Sequence, residues 1–199
     1  MAISYSQAGQ DIFALYMMRN RALPKTYLDI GCQNPIQCNN SYLLEQNGWC
    51  GVSIDIEDYH EQYKEHRRNP FCQANVTIMD WDILFYNVPF YQTNTIDYLS
   101  FDVDDATYYA FLHFPFDKVR FNVITIEHDA YRVGNNLKKM IRERLTSFGY
   151  TLLCADVTLS GYGAFEDWWV DIENIDTTLV SKVQSIGKNY LEICESMIS

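Results

Sequence analysis

Two acidic residues at the ends of two predicted strands constrain the fold most strongly. Residues 26–30 form a short, mainly apolar run around Asp29, and Gly31 follows this run directly. The pattern predicts a buried strand that ends in a tight turn, where glycine lets the backbone approach a ligand. A second apolar run ends at Asp55. Its distance of about 25 residues from Asp29 is typical of nucleotide-binding α/β domains.

The first turn and the second acid together indicate the kind of cofactor. Asp55, at the end of its strand, is expected to accept hydrogen bonds from both hydroxyls of a ribose. The turn at Gly31 has a single glycine and not the G-x-G-x-x-G pattern, so no phosphate cradle is predicted. S-adenosylmethionine, a nucleoside cofactor without phosphates, therefore fits better than a pyrophosphate cofactor. The predicted cofactor contacts are Gln10, Asp29, Gly31, Cys32, Asp55, Ile56, Asn75 and Asp102.

Strand-like and helix-like segments alternate along the chain, which predicts a single α/β domain with a mostly parallel sheet. We predict an N-terminal helix within residues 1–22, a core over 23–172 and a helical tail over 173–199. The core contains seven predicted strands with helices on both faces, a Rossmann-like arrangement. Because no helix separates the last two strands, they should form an antiparallel hairpin. Residues 58–68 predict an exposed, charged helix, and residues 80–91 predict a long irregular connection.

The composition limits the partners and the compartment. The net charge is -11 and the pI is about 4.6, so the surface should repel nucleic acid and anionic membranes. Neutral carbohydrates and small molecules are compatible with this charge. The six cysteines contain no C-x-x-C pair, which indicates free thiols in a reducing compartment, the cytoplasm. Neither a signal peptide nor a membrane-spanning run is expected.

Several segments resemble, in order and spacing, the FkbM family of S-adenosylmethionine-dependent O-methyltransferases. The segments are residues 6–11, 28–35, 43–55, 96–104, 124–129, 149–150 and 165–167. One departure is that Asp104-Asp105 stands where the family commonly has a glutamate-glycine pair. The resemblance implies the seven-stranded class I methyltransferase fold. It also implies methylation of a hydroxyl, often on a natural product or a sugar, for example a terminal deoxysugar such as rhamnose.

The ends of the predicted fourth and fifth strands supply the candidate catalytic groups. Parallel strands end at one edge of a sheet, so their polar residues should converge beside the cofactor: Asp102, Asp104, Glu127, His128 and Asp129. A sugar hydroxyl is a weak nucleophile and needs a base or a metal ion. His128 titrates near neutrality and is the preferred general base, with Asp102 and Asp129 beside it. Alternatively, Asp102, His128 and Asp129 bind Mg²⁺ or Mn²⁺.

Other hypotheses remain open from the sequence. Glu166 and Asp167, in the next loop, are further candidates for completing the site. The chain could instead be an NAD-dependent oxidoreductase on a similar sheet, or a non-catalytic binding module that keeps the fold. It could also be one domain of a larger glycan-assembly protein, such as a viral glycosyltransferase-methyltransferase in the host cytoplasm. In the preferred interpretation the partner is a carbohydrate acceptor.

Overall fold

The computed structural model describes residues 3–88, 91 and 93–198, and its centre is one mixed β-sheet. The strands are β1 (Thr26–Ile30), β2 (Cys50–Asp55), β3 (Phe71–Gln73), β4 (Thr95–Phe101), β5 (Arg120–Glu127), β6 (Thr151–Thr158), β7 (Ala164–Val170) and β8 (Ser185–Ile186). Within this described part, the strand order is β3-β2-β1-β4-β5-β7-β6-β8. Strand β7 is antiparallel to both of its neighbours, and the other adjacent strands are parallel. The predicted mostly parallel sheet and its antiparallel hairpin are confirmed.

Helices cover both faces of this sheet, as predicted. They are α1 (Gln10–Met17), α2 (Tyr42–Gln46), α3 (His60–His66), α4 (Trp81–Asn87), α5 (Thr107–His113), α6 (Ala130–Val133), α7 (Asn135–Ser147), α8 (Thr177–Val183) and α9 (Tyr190–Ile198). Side chains of α4, α5 and α7 pack in one apolar cluster, and those of α1, α8 and α9 pack in a second. Tyr27 and Leu28, adjacent in β1, belong to different clusters. The strand is therefore buried on both sides, as parallel strands usually are.

The described part of the sheet has eight strands, so the predicted count of seven is wrong. The extra strand, β8, lies in the tail that the sequence predicts as helical, and it pairs in parallel with β6. Its two residues, Ser185 and Ile186, are too few to produce a period-two pattern. Gly187 follows with φ +69° and separates α8 from α9.

Two predictions about connecting segments are also corrected. The segment 80–91 contains the helix α4, although residues 89–90 lie outside the described part. Asp80 caps this helix by accepting a hydrogen bond from the backbone N–H of Asp82, and Trp81 and Leu84 turn one side of it into the core. The charged helix predicted over 58–68 is α3, but the side chain of Arg67 at its end is fully buried. Its charge is not solvated.

The topology creates a crevice beside β1. This strand lies between β2 and β4, and the chain leaves it in opposite directions along the sheet. Ligands of open α/β sheets bind outside the carboxyl ends of the strands at such a point. The described helices include none with the length and apolar character that a membrane crossing requires.

Candidate cofactor and acceptor site

The crevice at the ends of β1, β2 and β4 is a cleft with about 700 Å³ of space, part of it open to solvent. Its lining includes five of the eight predicted cofactor contacts: Gly31, Asp55, Ile56, Asn75 and Asp102. The first two strands, the start of the segment after β3 and the end of β4 supply them. The structure thus brings together residues that are up to about 70 positions apart in sequence.

Gly31 allows β1 and β4 to end close together. Its φ is +80°, a conformation that residues with a side chain rarely adopt. A Cβ atom at this position would lie 1.5 Å from the backbone oxygen of Asp102. Alanine therefore cannot replace this glycine without moving the end of β4. The floor of the cleft depends on this contact.

Asp55 is held at the tip of β2 by two backbone groups. Its Oδ2 accepts a hydrogen bond from the N–H of Gln33 at 2.8 Å, and its Oδ1 accepts one from the N–H of Glu57 at 3.0 Å. Each carboxylate oxygen can accept a second hydrogen bond. The carboxylate therefore has a fixed orientation and one remaining acceptor position on each oxygen, which suits a pair of neighbouring hydroxyls.

A smaller polar cavity adjoins the cleft and is lined in part by Asp29, Cys32, Asn40 and Asp102. Asp29 is buried and accepts a hydrogen bond from Ser41 Oγ at 2.6 Å. Burial raises the pKa of Asp29 to about 6. Burial likewise raises the pKa of the Cys32 thiol. The Oδ1 atom of Asn40 is buried without a hydrogen-bond partner among the described residues, so it is open to a donor from a ligand.

Gln10, also predicted to contact the cofactor, does not line the cleft or the polar cavity. Its Nε2 donates to Glu166 Oε2 at 3.0 Å, and its Oε1 accepts from the N–H of Ala8 at 2.8 Å. Both ends of the amide are thus used inside the protein. Gln7, three positions earlier, lines the polar cavity instead. The sequence contains both glutamines in one short segment and does not show which of them faces the ligand.

Asp102 and Glu127 form a coupled acid pair where β4 and β5 end. Their side chains share a hydrogen bond, and Asp104 brings a third carboxylate to within 4.8 Å of both. Burial raises the pKa of Glu127, and the neighbouring Asp102 raises it further. Burial also raises the pKa of Asp102. The pair consequently keeps one proton near neutrality and carries one negative charge.

The geometry does not support His128 as the general base. Its side chain is 0% exposed, and its Nδ1 accepts a hydrogen bond from the N–H of Ala130 at 3.2 Å. The ring proton must then lie on Nε2, which is 3.5 Å from Asp167 Oδ1. Neither nitrogen presents a free lone pair to an acceptor. Asp129, the other predicted partner, is paired with Arg132 at 2.6 Å.

The predicted metal site is not assembled as a triad. Among the described residues, the carboxylates that meet within 4.8 Å at the cleft are those of Asp102, Asp104 and Glu127. His128 belongs to a different group, with Asp156 and Asp167, although it lines one cavity together with Glu127 and Asp129. Asp102 and His128 are therefore in separate clusters, and Asp129 is in neither.

Asp167 is occupied by an ion pair and does not complete the site. Burial alone would raise its pKa, but hydrogen bonds from Arg142 and His128 outweigh burial and lower the pKa to about 2. The Arg142 contact is bidentate, with both distances 2.7 Å. Glu166 is likewise buried, between Gln10 and Trp168. Both acids act within the protein, so the expectation that they face the acceptor is wrong.

A third cavity, which we call the tyrosine cavity, opens beside the acid pair. It is lined by Gln7, Glu127, Tyr131, Leu159, Tyr162 and Phe165. The rings of Tyr131 and Tyr162 meet edge to face at 5.6 Å, and about half of each side chain is exposed. Gly163 allows this approach, because a Cβ there would lie 2.8 Å from the Cβ of Tyr131. The sequence gives no signal for either tyrosine, because no local pattern shows that α6 and the β6–β7 turn meet.

Comparison with known proteins supplies the fold class. No protein-family model and no curated protein matches the sequence. A TehB-like S-adenosylmethionine-dependent methyltransferase from Corynebacterium glutamicum is similar in structure, with a TM-score of 0.54 at 12% identity over 85% of this chain and 89% of that one. An rRNA methylase from Streptococcus thermophilus has a TM-score of 0.51 at 12% identity over 85% of this chain and 98% of that one. This chain has the class I methyltransferase fold.

The METTL16 methyltransferase domain is another structure with this fold. It has a TM-score of 0.54 at 11% identity over 81% of this chain. The chain spans 66% of that domain, slightly less than two thirds of its length. These likenesses confirm the predicted fold class. The resemblance to the FkbM family and methylation of oxygen remain predictions.

The predicted role of Asp55 is to accept hydrogen bonds from the ribose hydroxyls of the cofactor. We expect Asp55→Ala to weaken binding of S-adenosylhomocysteine roughly 10- to 100-fold, since a hydrogen bond to a charged group contributes about 1.5–3 kcal/mol. Isothermal titration calorimetry measures the dissociation constant. The control is Asp58→Ala, which removes an exposed acid three positions further along the chain, and this variant should bind as the wild type does. Equal affinity of the Asp55→Ala variant and the wild type would contradict the assignment.

Glu166 makes a second prediction, which concerns stability and pH. Burial raises the pKa of Glu166 to about 8, although Gln10 and Trp168 donate hydrogen bonds to it. A raised pKa in the folded state stabilises the fold fully below the unfolded pKa of 4.5, and this contribution is lost as the pH rises through 8. We expect the Tm to fall between about pH 5 and pH 8, to level off above pH 8, and to fall less in Glu166→Gln. The exposed Glu143→Gln is the control; the same pH slope in all three proteins would refute the prediction.

Proposed function

We propose that this chain is an S-adenosylmethionine-dependent O-methyltransferase that methylates a hydroxyl of a carbohydrate. One observation carries the proposal: Glu127 lines both the polar cavity beside the cofactor cleft and the tyrosine cavity. A group that can hold a proton thus lies between a nucleoside-sized cleft and a separate aromatic-lined space. This arrangement suits transfer of a methyl group between two bound molecules.

The donor would lie across the cleft and the polar cavity. Asp55 accepts hydrogen bonds from the ribose hydroxyls, and the adenine packs against Ile56 and Asn75. The methionine end extends into the polar cavity, where its ammonium group donates to the free Oδ1 of Asn40 beside the carboxyl of Asp29. This placement directs the sulfonium methyl group toward Glu127. The donor is cationic at the sulfur, which the surrounding carboxylates favour.

The reaction is an in-line displacement. The acceptor oxygen forms a bond to the methyl carbon while the carbon–sulfur bond breaks. The electron pair of the broken bond stays on sulfur, and the donor leaves as S-adenosylhomocysteine. The hydroxyl proton passes to the Asp102–Glu127 pair, whose single negative charge is then neutralised. Burial raises the pKa of Asp102, which carries the negative charge of the pair, so the pair is a stronger base than an ordinary carboxylate. We therefore assign the general-base role to this pair instead of His128.

The tyrosine cavity is the proposed acceptor site. Exposed tyrosine rings offer a flat apolar face and a polar edge, which suit the two kinds of surface of a sugar ring. We expect Tyr162→Ala to raise KM for a glycan acceptor about tenfold, equivalent to ~1.4 kcal/mol, while the affinity for the donor stays unchanged. Initial rates at varied acceptor concentration measure this. Tyr86→Ala, on α4, is the matched exposed control; equal KM values for both variants would contradict the assignment.

A divalent cation is the alternative to general-base catalysis by the Asp102–Glu127 pair. Asp102, Asp104 and Glu127 form an all-oxygen group that would suit Mg²⁺ or Mn²⁺, and such an ion would lower the pKa of the acceptor hydroxyl. His128 and Asp129 are not part of this group. Transfer assayed with a chelator, and then with added Mn²⁺, tests the requirement for an ion.

The first turn disfavours the NAD-dependent alternative. A pyrophosphate normally binds where a helix begins directly after the glycine turn. Here α2 begins at Tyr42, eleven positions after Gly31. In the loop between them, the side chain of Asn39 donates hydrogen bonds to the backbone oxygens of Cys32 and Asn34. The same calorimetric titration performed with NAD tests this alternative. Tight binding of NAD with no response to S-adenosylhomocysteine would favour the oxidoreductase.

Incubation with labelled S-adenosylmethionine tests the proposed function directly. The acceptors are a panel of glycans with free hydroxyls, the same glycans fully O-methylated, and an RNA. We expect label only in the glycans with free hydroxyls, because the net charge of -11 opposes RNA binding. Transfer to RNA would refute the carbohydrate assignment. Donor binding without transfer to any glycan would favour a non-catalytic binding module. We also propose that the protein is located in the cytoplasm and that the chain belongs to a larger glycan-assembly protein.

A further inference from the structure

A buried arginine holds the loop that follows β1. The side chain of Arg67 is 0% exposed, and its guanidinium forms a 2.7 Å ion pair with Glu45. Its remaining N–H groups donate to the backbone oxygen of Pro35 and the side chains of Asn39, Tyr27 and Ser41, at 2.9 to 3.1 Å. All five donors of the guanidinium are therefore used. A lysine could not make this set of contacts.

Asn39 extends these contacts to more of the loop. Its Oδ1 accepts from Arg67, while its Nδ2 donates to the backbone oxygens of Cys32 at 3.0 Å and Asn34 at 2.9 Å. Together with the Arg67 contact to Pro35, three backbone oxygens of the loop are held by side chains. The loop contains one glycine, Gly31, so its shape is set by these bonds more than by glycine turns.

The arginine is also linked to the floor of the polar cavity. Ser41 Oγ accepts from Arg67 at 3.0 Å and donates to Asp29 Oδ2 at 2.6 Å. Asp29 and Cys32 both line that cavity. One buried cation thus restrains two sides of the space in which the methionine end of the donor is proposed to bind.

We propose that Arg67 is a positioning residue for the donor, which presets the loop 32–39 before S-adenosylmethionine arrives. This inference rests on the proposed function. A loop that is already held in its bound shape loses little further freedom when a ligand binds, so affinity increases. Arg67 itself touches neither cleft nor cavity and acts through Asn39 and Ser41. A purely structural arginine would affect thermal stability and leave donor affinity unchanged.

The test compares two double variants. In Arg67→Met/Glu45→Leu the buried ion pair is replaced by apolar side chains, a change that folded proteins often tolerate. In the control, Arg120→Met/Asp171→Leu, a partly exposed ion pair between the first residue of β5 and the residue after β7 is replaced in the same way. We expect the first variant to raise the Kd for S-adenosylhomocysteine and the KM for the donor at least tenfold, with kcat within about threefold of the wild type. The control should keep the Kd of the wild type.

A second, smaller change keeps the test decisive if the first variant does not fold. Ser41→Ala removes the link between Arg67 and Asp29 and is expected to raise the Kd about threefold to tenfold. The proposal is overturned if folded variants of Arg67 or Ser41 bind S-adenosylhomocysteine within twofold of the wild type. If the wild type itself does not bind this ligand, the proposed function fails, and this inference fails with it.

Discussion

Replacing Glu127 by glutamine is expected to lower kcat by about 10²- to 10⁴-fold, the range that general acid–base catalysis contributes. Glu127 lines the tyrosine cavity and Asp102 does not, so the acceptor's proton passes to Glu127 while the shared proton moves to Asp102. Glutamine still donates to Asp102, but it cannot relay a proton in this way. The Kd for S-adenosylhomocysteine should stay within about threefold of the wild type, because Glu127 is not proposed to bind the nucleoside. Steady-state kinetics at saturating donor measures kcat.

The stability of the same variant separates catalysis from folding. Glu127→Gln removes one of two adjacent, partly buried acids, so the Tm should be unchanged or higher. Glu143→Gln, on the exposed side of α7, is the matched control and should retain full activity. A kcat for Glu127→Gln within threefold of the wild type would show that the acid pair is not the base. A comparable loss in His128→Gln alone would return that role to the histidine.

Replacing Gly31 by alanine is expected to destabilise the fold by roughly 4 kcal/mol or more, which is a large part of the stability of a small domain. Two costs add. The φ of +80° disfavours any side chain, and the new Cβ would lie 1.5 Å from the backbone oxygen of Asp102. Chemical denaturation measures the free energy of unfolding. Any folded fraction should have lost donor binding, because β4 must move away from the cleft.

Gly187→Ala is the matched control for this change. Gly187 has φ +69°, and its position has no heavy atom within 4 Å of an added Cβ among the described residues. The control therefore measures the conformational cost alone, about 1–2 kcal/mol. Equal losses of stability in the two variants would mean that the close approach of β1 and β4 contributes nothing.

The alternation of strands and helices was sufficient to predict the α/β class and the final hairpin. Strands and helices that pack on one apolar core each show their own spacing of apolar residues, and both spacings are visible in the sequence. The acids at strand ends were also informative: Asp55 and Asp102 lie at one edge of the sheet because parallel strands end together. Strand β8 and helix α4 were not recognisable. A two-residue strand has no period, and the short helix α4 buries only Trp81 and Leu84, with Phe85 partly buried beside them.

The sequence could not distinguish which acids face the ligand. His128 and Glu127 are neighbours in the chain, yet the His128 ring lies 3.5 Å from Asp167 while Glu127 lines the polar and tyrosine cavities. Gln7, Tyr131 and Tyr162 meet through tertiary contacts and show no local signal. Arg67 appeared to be a solvated charge because its partners are spread over residues 27–45.

A crystal structure of the chain with S-adenosylhomocysteine tests the central claim most directly. We predict that both ribose hydroxyls lie within about 3 Å of the Asp55 carboxylate, and that the sulfur faces the Asp102–Glu127 pair. A nucleoside bound elsewhere, with Asp55 still held by the N–H groups of Gln33 and Glu57 and facing solvent, would contradict it.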